Sequence, residues 1–156
     1  MRFLAILFAF TLTFWSSARP DTVCEAVARQ IFERVNQERQ KQSVAPLTWN
    51  AVLAEAAKNH SQDMCKFDFF AHESPVERRL TPADRVREVG GTGQTCGENI
   101  YWSRGFSPEK LPALALQEWM NDEGHRANIL NKEFHLVGLG VFRKDKAFWV
   151  TQVFTD

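Results

Sequence analysis

Apolar residues in the first third of the chain recur with helical spacing. Val23, Val27, Ile31 and Val35 fall at every fourth position, and Thr22 with Glu25 forms a capping box, so a helix is expected from Thr22 to about Arg39. Asn36 and Arg39 lie one turn apart at its end, either solvated or hydrogen-bonded in the interior. Gln40 to Pro46 is polar, closes on a proline and reads as a loop. Leu47-Thr48-Trp49 is a short apolar anchor. Asn50 then caps a second helix whose stripe is Leu53, Ala56, Ala57, His60 and Met64.

The pattern changes in the second half. Thr81-Pro82-Ala83-Asp84 is a helix start with proline in the first turn, and Gly90-Gly91 ends that short helix. Thr92 to Gly97 is loop, and Glu98 to Trp102 is a short extended segment. Ser107-Pro108 opens a helix with Leu111, Leu114, Ala115 and Trp119 on one face; Asn121 to Gly124 interrupts it before a further turn over His125 to Leu130. Val137, Leu139 and Val141 then alternate with Gly138 and Gly140, and Phe148 to Phe154 answers across a hairpin loop at Arg143 to Lys146. Helices first and strands last give an α+β arrangement, a sheet covered by helices. Nothing in the sequence reads as an internal repeat or an interdomain linker, so one domain is expected over residues 19–156.

Residues 1–18 do not fit that domain. Met1-Arg2, the apolar run Phe3 to Trp15 and the small residues Ser16-Ser17-Ala18 read as a secretory signal peptide, too short for a comfortable membrane span. The alternative is an uncleaved anchor. A secreted or periplasmic location is expected. The whole chain balances 19 basic against 19 acidic side chains; losing Arg2 leaves 18 against 19, a net charge of −1. No basic field for nucleic acid is present, and no polybasic run for an anionic membrane. Export permits disulfides. Of Cys24, Cys65 and Cys96, the favoured bridge is Cys65 to Cys96, which closes a loop of about 30 residues and would stabilise by roughly 3–4 kcal/mol. Cys24 with either of the others is the rival pairing. A monomer is expected, with a leftover Cys24 able to link two copies.

The candidate chemistry gathers around Gly97-Glu98-Asn99-Ile100. A carboxylate followed by Ile100, Tyr101 and Trp102 is costly to desolvate unless it is paired. His72 and His125 flank it in sequence, and Asp122 or Glu123 adds a second acid, so these side chains are expected in one cleft. His60, on an apolar stripe with no helically spaced carboxylate, reads as a core histidine. His72-Glu73 begins like a zinc-protease helix, but Val76 stands where the second histidine belongs and Pro75 breaks the helix. Ser74 and Ser103 lie in no nucleophile-elbow pattern. Phe67-Asp68-Phe69-Phe70 and Ile100-Tyr101-Trp102 read first as core, with the lining of an apolar groove as the alternative.

In order and spacing, Asn36-Gln37-Glu38-Arg39, Leu47-Thr48-Trp49, His72, Gly97-Glu98-Asn99-Ile100, Trp119, His125-Arg126-Ala127-Asn128-Ile129-Leu130, Val137-Gly138-Leu139-Gly140-Val141 and Trp149-Val150-Thr151-Gln152-Val153-Phe154 resemble the CAP superfamily (cysteine-rich secretory proteins, antigen 5 and pathogenesis-related 1) in its compact bacterial SCP-like form. The resemblance implies an α-β-α sandwich with a central antiparallel sheet. It also implies a cleft with two histidines and two acids, which match His72, His125, Glu98 and Asp122. Bacterial members often carry serine at the last position, and the eukaryotic acid there is usually glutamate, one carbon longer than Asp122.

Such a set suits Zn2+ or another divalent cation with a position left for water, and occupancy should fall as pH drops through about 6.5. It equally suits a hydrogen-bonded network with no metal. Three functions are open: a non-enzymatic module binding a lipid, sterol, peptide or cell-wall fragment, which the resemblance favours; a metal-assisted hydrolase or protease with Glu98 as base and His72 and His125 on the metal; and a structural protein whose polar cleft fixes the fold.

Overall fold

A computed structural model describes residues 20–156; the signal segment expected at 1–18 lies outside the described residues. Helix α1 (Pro20–Lys41) is already formed at Thr22, so Thr22 is an internal residue and not the expected cap. Its stripe is as read, with Val27, Ile31 and Val35 buried. Strand β1 (Thr48–Trp49) leads into α2 (Ala51–Lys66), where Asn50 Oδ1 accepts from the N–H groups of Val52 and Leu53. Helix α3 (Pro82–Glu88) opens on the full Thr81–Asp84 capping box. Strand β2 (Cys96–Arg104) is longer at both ends than the expected Glu98 to Trp102.

Helix α4 (Leu111–Asn121) begins later than Ser107-Pro108 suggested. Ser107 to Lys110 is a turn, closed by Lys110 N–H on Ser107 O at 3.1 Å. Pro112 has no N–H to give the carbonyl of Pro108, so a regular helical ladder starts beyond it. Helix α5 (Glu123–Leu130) follows at once, and strands β3 (Leu136–Lys144) and β4 (Ala147–Thr155) form the hairpin. Its turn is Asp145-Lys146, tighter than expected, with Asp145 at φ 56°.

The sheet order is β1-β3-β4-β2. It is mixed and not purely antiparallel: β2 and β3 run antiparallel to β4, while β1 pairs parallel to β3 through Thr48 N–H on His135 O and Asn50 N–H on Val137 O. No hairpin joins β1 to β3, so nothing local imposes an antiparallel sense. On one face Val137, Leu139, Val141, Phe148, Val150 and Phe154 meet α1, α4 and α5; on the other, Leu53, Ala56, Ala57 and Val86 of α2 and α3 meet Val153. A Cβ on Gly138 would stand 2.0 Å from Ala54 N, and one on Gly140 2.0 Å from Lys58 N. The glycine alternation therefore lets the α2 backbone lie directly on the sheet.

Asn36 and Arg39 take the buried role. Asn36 exchanges two hydrogen bonds with the backbone of Leu47, and Arg39 donates to the carbonyls of Ala45, Ile129, Asn131 and Phe134. The expected Cys65–Cys96 bridge does not form, and no two cysteines stand at disulfide distance. Cys65 sits by Phe142 and Lys144, whereas Cys96 pairs with Thr155, which also pairs with Leu136. The two thiols thus occupy opposite ends of a strand about 25 Å long, against the roughly 6 Å between Cα atoms that a bridge needs.

Candidate functional site

The site is built on the outer strand of the sheet. Glu98 lies opposite Val153 in register, which turns its side chain toward the α2–α3 layer. There it is buried, and both carboxylate oxygens are taken. Arg85 Nη2 donates to Oε2 at 2.6 Å, and His72 Nδ1 donates to Oε1 at 2.9 Å. The sequence reading assigned imidazoles as its partners; the principal one is the fully buried guanidinium of Arg85. Arg85 also donates to the carbonyls of Arg79, Leu80 and His72, tying α3 and the His72 loop to the carboxylate. A signal for it was present: Arg85 and Val89 are four apart, on the face that carries Val86.

His60 stands behind this pair with its Nε2 3.8 Å from Glu98 Oε1. It is a core histidine, as read: Nε2–H donates to Ala71 O at 3.0 Å, while Nδ1 is buried without a partner. Burial pushes its pKa down to about 4, with Glu98 opposing and Arg85 adding to the shift. The carboxylate that His60 lacked at helical spacing arrives from β2.

His125 sits at the start of α5 and faces His72, their ring centroids 6.0 Å apart. Asp122 is the α5 N-cap: Oδ1 accepts the His125 backbone N–H at 2.8 Å and lies 3.3 Å from its ring Nδ1. That backbone hydrogen bond holds the Asp122 carboxyl below its ordinary range. His125 is lowered by burial, with Asp122 opposing and His72 adding. Glu123 is exposed on the first turn of α5. The structure therefore gathers His72, His125 and Glu98, keeps Asp122 at the rim as a cap, and leaves Glu123 outside.

Two asparagines and a tryptophan fix the strand. Asn128 donates to Glu98 O and Asn99 Oδ1, Asn99 donates to His125 O and Gln152 Oε1, and Trp119 Nε1–H donates to Ile100 O. Beside His125 opens a cleft of about 660 Å³, lined by Phe70, the β2 segment from Ile100 to Arg104, Phe106, Glu118, Trp119 and Asp122. The core reading of the aromatic runs holds for Ile100 and for Tyr101, which packs against the core, and fails for the exposed rings. Ile100 is buried, but Phe67, Phe70 and Trp102 are 43%, 52% and 44% exposed, as is Phe106 at 47%.

For a divalent cation the donor set is narrower than the sequence indicated. Both oxygens of Glu98 are engaged, and among the described residues no group of three or more His, Cys, Asp or Glu side chains is arranged to hold a metal ion. What fits is the imidazole pair. Each Nδ1 has a carboxylate against it, the arrangement that orients a ligating imidazole from behind.

The profile of the cysteine-rich secretory protein (CAP) family matches residues 32–154. The chain belongs to that family. The Bacillus subtilis protein YkwD, itself uncharacterised, is 36% identical over 137 residues, 88% of this chain and 50% of YkwD. The crystal structure of an extracellular SCP-domain protein from Bacillus anthracis superposes with a TM-score of 0.73 at 35% identity, over 87% of this chain and 43% of that one. A cysteine-rich secretory protein from Staphylococcus aureus, 21% identical with a TM-score of 0.62, shares the fold over 83% of this chain and 38% of its own. The CAP domain here thus spans half or less of these longer relatives. Among the described residues no helix is long and apolar enough to cross a membrane.

Proposed function

We propose that this CAP domain works outside the cytoplasm as a non-enzymatic binding module whose ligand occupies the cleft beside His125. One observation carries the reading: Phe70, Trp102 and Phe106, three of the five large hydrophobic side chains exposed among the described residues, line that single cleft. Exposed aromatic clusters mark interaction surfaces. Export is supported by the signal-like residues 1–18 and by the extracellular relative from Bacillus anthracis.

The hydrolase reading has less support from this geometry. A general base must offer a free lone pair toward substrate, and Glu98 is buried with both oxygens occupied by Arg85 and His72. The imidazole pair provides instead an accessory site for a divalent cation such as Zn2+, with Glu98 and Asp122 as orienting partners of the ligands and not as ligands themselves.

Muropeptides, phospholipid micelles, a sterol and a hexapeptide pool titrated into 15N-labelled protein test the binding role. One class should shift the Trp102, Phe106 and Glu118 amide signals saturably, and a Trp102→Ala/Phe106→Ala variant should lose the effect while no product forms. Turnover that disappears in Glu98→Gln or His72→Ala would establish the hydrolase instead. Calorimetric titration with zinc near pH 7.5, beside His72→Ala/His125→Ala, tests the cation site, and equal heats in both proteins would dismiss it.

A further inference from the structure

β2 ends the sheet, and its outer edge is covered only in part. Gly105 N–H bonds Lys146 O across the β2–β4 ladder, so odd-numbered β2 residues direct their backbone groups at β4 and even-numbered ones direct theirs outward. The side-chain caps agree with this parity: Asn128 covers Glu98 O, and Trp119 covers Ile100 O. The covering then stops. The N–H and C=O groups of Trp102 and Arg104 point along the same edge, and no strand of the described residues lies beyond them. This stretch of edge is the floor of the aromatic cleft.

A row of outward N–H and C=O groups at strand spacing complements one kind of partner above others, another extended backbone. The walls narrow the choice. Phe70, Trp102 and Phe106 give apolar faces of the kind that receive alternate side chains of an added strand, while Glu118 and Asp122 place two carboxylates along the α4–α5 wall. Two carboxylates against the single guanidinium of Arg104 leave the lining net acidic, and beside exposed rings this favours a cationic side chain, through charge pairing and cation–π contact together. A lipid would use the rings but leave the backbone row unanswered, and the hydroxyls of a glycan answer single groups without matching their strand spacing.

We propose that the edge of β2 at Trp102 and Arg104 takes an extended peptide as an added strand, with a Lys or Arg side chain of the peptide set against Glu118 and Asp122. This rests on the binding-module reading and names its ligand class. Arg104 contributes its outward N–H without using it in the β4 ladder. A proline there removes the donor and leaves the sheet's own hydrogen bonds in place.

The test uses a positional-scanning pool of acetylated, amidated hexapeptides, each with one central Lys or Arg. Two further pools are N-methylated at alternate backbone amides, one in each phase. Amide hydrogen exchange at Trp102 and Arg104 should slow at least tenfold on binding, and one N-methylated pool should bind at least tenfold more weakly than the parent. Arg104→Pro should abolish binding with β4 exchange unchanged. The exchange measurement on the unmodified chain decides the matter even if that variant misfolds.

If no member of the pool slows exchange at Trp102 and Arg104, or both methylated pools bind like the parent, strand addition is wrong. Saturable shifts of the Phe70 and Phe106 ring signals by muropeptides, lipid or peptide with no backbone protection would overturn this inference and leave the binding module standing. No perturbation of the cleft by any class would remove both.

Discussion

Arg85→Met is the most informative single change. It deletes a guanidinium that is fully buried against a carboxylate whose side chain is 1% exposed, and it leaves the methylene volume largely filled. Removing one member of a buried ion pair costs about 3–5 kcal/mol, because the other charge stays desolvated and unpaired. The carbonyls of Arg79, Leu80 and His72 lose a donor as well. Against a total stability on the order of 5–15 kcal/mol, the variant should lie near the edge of folding. Urea unfolding at pH 7, followed by tryptophan emission, should show the midpoint fall with an unchanged slope. Arg85→Met/Glu98→Gln should regain a substantial part of the loss, since the orphaned charge is gone. A loss below about 1 kcal/mol, or an equal loss in the double variant, would show that the pair does not hold the site.

Four further outcomes rest on the same geometry. His60 is kept neutral by burial, its pKa pushed down to about 4 from an ordinary value near 6.5, so acid favours the unfolded chain. Stability should be whole above pH 6.5 and fall by about 3 kcal/mol by pH 4, and His60→Gln should flatten that limb in urea titrations; an unaltered limb rules the assignment out. Gly140→Ala places a Cβ 2.0 Å from Lys58 N and should cost about 3 kcal/mol or more in thermal unfolding. Gly105→Ala meets no neighbour and should cost only about 1 kcal/mol, for its φ of +86°. Asp122→Ala should weaken the α5 cap and lower the His125 pKa further in an NMR titration, because Asp122 opposes the effect of burial; an upward move would contradict the assigned contact.

What the sequence by itself determined is what depends on neighbours within a turn or two. The α2 and α3 caps, the stripes of α1 and α2, the glycine alternation of β3 and the hairpin follow from local spacing and survive into the fold. The need of Glu98 for a partner, a carboxylate in apolar sequence, is legible in the same way, and His72 is among the groups that meet it. Which partner answers is a long-range matter. Arg85 reaches Glu98 across 13 residues and His60 approaches it across 38, from two different helices, so no local periodicity couples them. The parallel placement of β1, the separation of Cys65 from Cys96 and the exposure of Trp102 were likewise decided only by tertiary structure. Each depends on where a strand sits in the sheet, and alternation along a strand gives the face of a residue without revealing whether a neighbour covers its edge.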